Sequence, residues 1–349
     1  MGEVVGTMPE GERWMQAVAH AVHRDLERFF DEKAAVLKGL APSAGMMLEE
    51  IRELTLRGGK RLRAVLVAAG YRAGKPEGEL EVTAPVGAAM ELLQSGLLIH
   101  DDWMDQDETR RGGPAVHASL RERLGDAHTG DSIGVLAGDY ATSLSLERFA
   151  AAPFPPARRE EALSAYLRIL EEVYLGQFLD VTGDPDVSRM HRLKTTSYTV
   201  LGPLRLGAIL GDVSQDALDA LERWSIPTGE AFQVRDDLLG TLGDPKSTGK
   251  PGEDLRHGKR TALLAEAQAS GSASLREKIA AVVGRCDASD DEVRDLIDAL
   301  AREGVVARVE AKLDALVAEA HAIADAAPLP EVSKRDLRAL AEKLGRRAA

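Results

Sequence analysis

Two short aspartate runs have the residue type and spacing to do chemistry. The first, HDDWMDQDETRRGG, places Asp101, Asp102 and Asp105 at i, i+1 and i+4. On a helix, at about 100° per residue, three such carboxylates fall within an arc of about 100°. Crowded there they repel one another, and at the end of an apolar helix they also lose water. A hard divalent cation relieves both problems. Mg2+ typically takes one or two carboxylates and completes its shell with water and substrate phosphate. The second run, FQVRDDLLG, carries Asp236 and Asp237 at the end of an apolar helical stretch from Ile226 to Leu239. Two such helix ends converging across one cavity would hold several cations between them. Taken singly, each run is also explained as a solvated acidic helix end, because the chain has 57 acidic residues and chance pairs are common.

Basic residues accompany both runs. The segment GGKRLR sets Lys60 and Arg63 at i and i+3 near a helix start, where backbone N–H groups favour anions and the two side chains add charged donors. Arg110 and Arg111 follow the first acidic run directly. Lys250, Arg256, Lys259 and Arg260 follow the second, in and just after a glycine-rich stretch. That pattern suits two diphosphates, one held through metals and one by Lys and Arg. His100 beside Asp101 has the look of a metal-hydrolase pair, but none of the other seven histidines repeats the spacing, so a structural role, or one supporting the acidic run from behind, is expected. No Ser-His-Asp or Cys-His set suggests a protein nucleophile. The single cysteine, Cys286, excludes an internal disulfide and a multi-cysteine zinc site.

The elements that position these groups read as helices. Val18, Val22, Leu26 and Phe29/Phe30 recur at helical spacing within Trp14–Leu37. Glu49–Leu56 runs into the Gly58-Gly59 break, Arg61–Tyr71 follows, and Gly74, Pro76 and Gly78 end it. A long helix is predicted from about Thr83 to Asp105, with Pro85 tolerated in its first turn. Further breaks fall at Gly112-Gly113-Pro114, Pro153–Pro156, Gly183-Asp184-Pro185 and Gly243–Gly252. Leu275–Ala349 is again helix-rich, with a break at Pro328 and Pro330. Aromatics are only 4%, no strand alternates for long, and neither a repeat nor a separating linker is visible, so one all-α domain over 1–349 is expected.

Composition bounds the rest. The 349 residues, 44% apolar and 29% charged, bury a core without staples. A net charge of −13 argues against a nucleic-acid partner held by a basic surface. The segment Val82–His100, with Glu91 its only acidic or basic residue, has the length of a membrane span. It also holds Pro85, Gly87, Gln94 and Ser95 and leads into Asp101-Asp102, so a buried core helix is the better reading. The N-terminus has no apolar signal region, and a cytoplasmic location without a membrane anchor is expected.

Together these residues resemble the trans-polyprenyl diphosphate synthase family. GGKRLR, LLIHDDWMDQDETRRGGPAVH, LAGDY, GQFLD, KTTSY, FQVRDDLLG and GDPKSTGKPGEDLRHGKRT occur in family order from Gly58 to Thr261. The resemblance implies the all-α isoprenoid synthase fold, a large helical bundle around a central cavity, with a motif-bearing core at about 50–265 and C-terminal helices at 275–349. It implies that Asp101, Asp102, Asp105, Asp236 and Asp237 hold three Mg2+ ions, or Mn2+ in their place. Arg110, Lys194, Lys250 and Lys259 would donate to the allylic diphosphate. Lys60, Arg63 and Arg111, with Gln94, would hold isopentenyl diphosphate. Gln177 and Asp180, together with Asp237, would stand behind the metals, and Thr195 and Gln233 would line the reacting carbons. The implied reaction is a metal-dependent condensation giving a longer all-trans prenyl diphosphate, by an enzyme that is a homodimer. A class I terpene cyclase is the rival reading, though it leaves Lys60, Arg63 and Arg111 without a task. A non-catalytic partner subunit would be expected to lose the acidic runs.

The chain departs from the family pattern in places. Gly240 stands where many members carry a third Asp, Ala64 where Pro is common, and Trp103, expected in packing, where an aliphatic residue is usual. Arg346 and Arg347 lie where some relatives close the site with a basic tail, although a frayed end explains them equally well. Phe178 and Tyr198 read as core or cavity wall. Product length is tied in the family to the turn before the first acidic run, here Gly96 and Leu97. Gly96 is expected to leave space, with Leu93, Leu92 and Met90 stopping the chain further down. That points to a C20 product, with C15 and C25 or longer as alternatives.

Overall fold

The computed structural model describes residues 10–184, 186, 189–190, 192–243 and 252–346. Among these the chain is helical almost throughout, as composition implied. The helices are α1 (Glu10–Leu40), α2 (Gly45–Leu56), α3 (Leu62–Gly74), α4 (Ala84–Asp105), α5 (Val116–Leu124), α6 (Ala127–Ala150) and α7 (Pro156–Val181). They continue with α8 (Gly202–Leu210), α9 (Gln215–Leu242), α10 (Ala262–Ser270), α11 (Ala273–Val282), α12 (Asp290–Arg302), α13 (Val305–Ala326) and α14 (Glu331–Gly345). A π-helix spans Arg192–Leu201, and the described strands are a two-residue antiparallel pair, Thr109–Arg110 with Gly113–Pro114. The predicted stretch from Ile226 begins earlier than expected: α9 runs through Pro227, where Trp224 and Thr228 are fully buried and packing outweighs the lost backbone bond.

The contacts gather into two compact units, 1–169 with 202–215 and 170–201 with 216–349. The first is built on α4. Within Leu80–Asp105, which holds α4, an 18-residue stretch is apolar enough to cross a membrane (mean hydropathy 1.4), and 78% of that stretch lies buried. α1, α3 and α6 cover it, so it is the core helix the sequence suggested. α1 presents Val18, Val22, Leu26, Phe29 and Phe30, all buried as their spacing predicts. The second unit buries Trp224, Leu255, Leu263, Val293, Leu300, Val317 and Leu340 among α9–α14. Its α12 starts with a full capping box, in which Ser289 and Glu292 exchange side-chain and backbone bonds.

Glycines set the closest helix approach in the first unit. A Cβ on Gly70 would lie 2.0 Å from the Leu204 carbonyl oxygen, and one on Gly207 would lie 1.9 Å from that of Val67. Gly74 and Gly211 meet further along the same α3–α8 crossing. In an exposed helix Gly→Ala gains up to about 1 kcal/mol. Here it drives a methyl into backbone, and overpacking costs about 1–3 kcal/mol. Gly207→Ala is therefore expected to lower the thermal midpoint by several degrees, measured by circular dichroism.

Candidate active site

In the first unit the acidic run occupies the last turn of α4. Gln106, at φ 58°, ends the helix, and its N–H bonds back to the Asp102 carbonyl. Three carboxylates thus sit at the negative end of the helix dipole, which raises their need for cations. The structure divides them. Asp105 is exposed and Asp101 half-buried, whereas Asp102 is fully buried. Arg110 donates through Nε to Asp102 Oδ1 at 2.6 Å and through Nη2 to Asp107 at 3.0 Å. Burial raises the Asp102 pKa to about 6, against the opposing pull of Arg110. The sequence expects all three to front a cation, and the structure turns one of them inward. Asp102 lies at the far edge of the predicted arc, faces inward, and holds Arg110. Arg110, expected on the diphosphate, is engaged by these two carboxylates.

The hairpin after α4 carries the neighbouring arginines. Its two turn residues, Arg111 (φ 53°) and Gly112 (φ 74°), both have positive φ, as a tight two-residue hairpin requires. Arg111 Nη1 donates to the carbonyls of Leu54 and Gly58, each at 3.2 Å. Its guanidinium thereby lies against the Gly58-Gly59 loop, from which Lys60 emerges exposed and Arg63 half-buried. One hairpin therefore ties the acidic end of α4 to the cationic loop. Sequence reasoning missed the clamp on it: Arg57 donates to the carbonyls of Pro114 at 3.0 Å and Arg110 at 3.3 Å. The absent side chain of Gly113 makes room for that guanidinium.

The rest of α4 differs from expectation at one position. A Cβ on Gly96 would lie 2.8 Å from Thr142 Oγ1 and 2.9 Å from the Gly138 carbonyl oxygen. Gly96 leaves no open space, because α6 fills it. Leu92, Leu93 and Met90 are fully buried, while Leu97 and Gln94 are half-buried. His100 has the structural role expected: its ring covers Gly138 and Nε2 donates to the Val135 carbonyl at 3.0 Å. Trp103, expected in packing, is 39% exposed.

The second unit repeats the division. Asp236 is exposed, but Asp237 is buried, accepting from Gln233 Nε2 at 2.8 Å and from the Ala262 N–H at 2.7 Å. Burial pushes its pKa up to about 6. Asp237 thus joins α9 to the start of α10, with Gln233 donating to it from one turn earlier. Where the third Asp of this motif is missing, a Cβ on Gly240 would meet Asp254 Oδ2 at 1.8 Å. Asp254 fills that space and pairs with Lys259 at 3.2 Å. Lys194 pairs with Asp180 at 2.6 Å, so the π-helix meets the end of α7, where Gly176 admits the Lys194 backbone. Thr195 lies on that π-helix, half-buried, and Gln177 is half-buried on α7. π-helical turns recur at functional sites. Phe178 is 63% exposed and so is not core, whereas Tyr198 is buried. Arg346 is held by Asp314 and Glu342. Lys250 and Arg347 lie outside the described residues.

Comparisons with known proteins decide the family. The Polyprenyl synthetase signature matches residues 45–300. The chain belongs to the polyprenyl synthetase family. It is a prenyl diphosphate synthase, a transferase of alkyl groups, with the isoprenoid synthase fold. It is similar to the geranylgeranyl diphosphate synthase of Methanosarcina mazei, 32% identical over 76% of this chain and 82% of that one. A short chain isoprenyl diphosphate synthase of Methanocaldococcus jannaschii is 29% identical over 71% of this chain and 74% of that one. Among solved structures, the geranylgeranyl pyrophosphate synthase of Corynebacterium glutamicum, complexed with isoprenyl diphosphate and magnesium, superposes with a TM-score of 0.86. It is 30% identical and covers 94% of this chain and 98% of that one.

Asp101 and Asp105, half-buried and exposed one helical turn apart, offer hard oxygen donors of the kind Mg2+ takes with substrate phosphate. Among the described residues no group of three or more His, Cys, Asp or Glu is placed to hold a metal ion by itself. Removing one partner of a buried ion pair is strongly destabilising. Asp102→Ala is therefore expected to lower stability by roughly 2–4 kcal/mol in metal-free buffer. Asp105→Asn is expected to shift it by less than about 1 kcal/mol. Denaturant unfolding of the two variants checks the contrast.

Proposed function

We propose that this enzyme condenses isopentenyl diphosphate with an allylic diphosphate, using Mg2+ or Mn2+, and releases an all-trans C20 prenyl diphosphate. The observation that carries the reading is the hairpin with Arg110 on the acidic end of α4 and Arg111 on the Gly58-Gly59 loop. This supports a reading in which one short element borders both a metal-bound diphosphate and a directly bound one. A terpene cyclase has no use for the second.

When bound, the divalent cations, three of them in this reading, neutralise the leaving diphosphate and act as Lewis acids. Asp101, Asp105 and Asp236 are assigned as their direct ligands, with Asp102 and Asp237 behind them. Lys194, Lys250 and Lys259, with Arg110, are assigned to the allylic diphosphate, and Gln177 and Asp180 are assigned to stand behind the metals, Asp180 also pairing with Lys194. Thr195 and Gln233 border the reacting carbons. Lys60, Arg63 and Arg111, with Gln94, hold the isopentenyl diphosphate so that its double bond faces the allylic carbon. The C–O bond breaks, the double bond attacks the allylic cation, and the lost proton passes to the departing diphosphate. Apolar surroundings keep water from the cation.

The C20 product is supported by the names of the Methanosarcina and Corynebacterium relatives. Gly96 adds nothing to this reading, because its missing side chain is matched by the close approach of α6. A homodimer in the cytoplasm is part of this proposal.

Product sizing by chromatography, with dimethylallyl, geranyl and farnesyl diphosphates as starters, is expected to show C20 as the end point. A hydrocarbon or terpene alcohol formed without isopentenyl diphosphate would instead favour a cyclase. Chelation is expected to abolish turnover, and Mg2+ or Mn2+ to restore it. Lys60→Ala is expected to raise the KM for isopentenyl diphosphate by about 10–100-fold, the value of one charge-assisted bond, with little change in the KM for the allylic substrate.

A further inference from the structure

The cation between Lys60 and Arg63 faces the opposite way. Arg61 is buried, its side chain 5% exposed, and it pairs at 2.9 Å with Glu91, whose side chain is also 5% exposed. Glu91 is the one acidic residue of the apolar run Val82–His100, which holds no Lys or Arg. Burying both charges carries a desolvation penalty that apolar residues of similar size avoid, so stability is a weak reason for the pair. Geometry offers a stronger one.

The loop needs outside support. Gly58 and Gly59 have φ of 118° and 120°, and Arg61 itself sits at φ 49°, a region unfavourable for a residue with a side chain. No side-chain bond caps the start of α3. The Arg61 fork supplies the missing restraint. Nη1 donates to Glu91 on α4, and Nη2 donates to the Thr55 carbonyl at 2.7 Å in the last turn of α2. The Thr55 hydroxyl bonds Ser95 at 2.7 Å, and Ser95 donates to the Glu91 carbonyl at 3.0 Å. The exit of α2, the loop and the middle of α4 are thereby pinned at one point. With Arg61 drawn inward, Lys60 is left exposed and Arg63 half-buried on either side of it.

We infer that Glu91, acting through Arg61, is the positioning residue for the isopentenyl diphosphate loop: it fixes how Lys60 and Arg63 are presented relative to α4. This rests on the assignment of the loop under Proposed function. Small misplacements of binding groups cost large factors in turnover, and this latch sits on the helix that ends in Asp101 and Asp105.

The test is the double variant Arg61→Met/Glu91→Leu, which replaces the buried pair by apolar side chains and is expected to fold with a thermal midpoint near that of the parent. Its KM for isopentenyl diphosphate is expected to rise about tenfold or more, while kcat and the allylic KM change by less than about threefold. Adding Lys60→Ala is expected to cost less in this background than in the parent, because Lys60 is already misplaced. Should the double variant melt early, Arg61→Lys keeps the cation, loses the arm to Thr55, and is read for the same split. A folded variant with parental KM, or one in which kcat and both KM values worsen together, overturns the inference. If Lys60→Ala in the parent leaves the isopentenyl KM unchanged, the loop assignment falls and takes this inference with it. A normal Lys60→Ala effect beside a silent Arg61/Glu91 variant removes the positioning role alone.

Discussion

Carboxylates gathered at the negative end of a buried apolar helix are the constraint on which the first unit depends. α4 is covered on several sides, and it ends in a left-handed residue that leaves Asp101, Asp102 and Asp105 in its final turn. Neither water nor the helix dipole stabilises such a cluster. The fold answers with one internal cation, Arg110 on Asp102, and leaves Asp101 and Asp105 toward solvent. The same solution recurs on α9, where Asp237 is held from inside by Gln233 and the Ala262 N–H while Asp236 stays exposed. In each adjacent pair one aspartate is buried in the wall and the other is more exposed.

Adjacent residues point in opposite directions on the cationic side as well. Arg110 and Arg111 serve different neighbours from one turn. Lys60 and Arg61 are exposed and buried in succession. Short, strained backbone makes this possible: positive φ at Arg61 and Arg111 costs local energy, and the surrounding hydrogen bonds offset it. Such strain is common where a binding surface must be rigid before its ligand arrives.

Much of this was legible in the residues. Helical spacing located α1 and α4, glycine pairs marked the loop before α3, and charge type and order pointed to the acidic and basic residues. The inward turn of Asp102 and Asp237 was not legible, because a helical arc gives an angle and says nothing of which side a neighbour covers. Gly96 misled for a related reason: a missing side chain is space only if no other helix takes it, and α6 does. The Arg61–Glu91 latch did leave a trace, since a lone charge in an apolar helix demands a partner. The π-helix at Lys194 left none: its backbone lies against Gly176, a contact between segments that local sequence does not display.

The crossing of α3 and α8 bears on how the chain is made. Residues 202–215 belong to the first unit, yet residues 170–201, which precede them, belong to the second. A ribosome adding about 5–20 residues per second needs on the order of seconds to cross that intervening stretch. Until then the glycine-edged face of α3, with Val67 and Tyr71, has no α8 against it. The first half of the molecule cannot reach its final state in order of synthesis. Its nascent form must keep that face from other chains until the closing helix emerges from the exit tunnel.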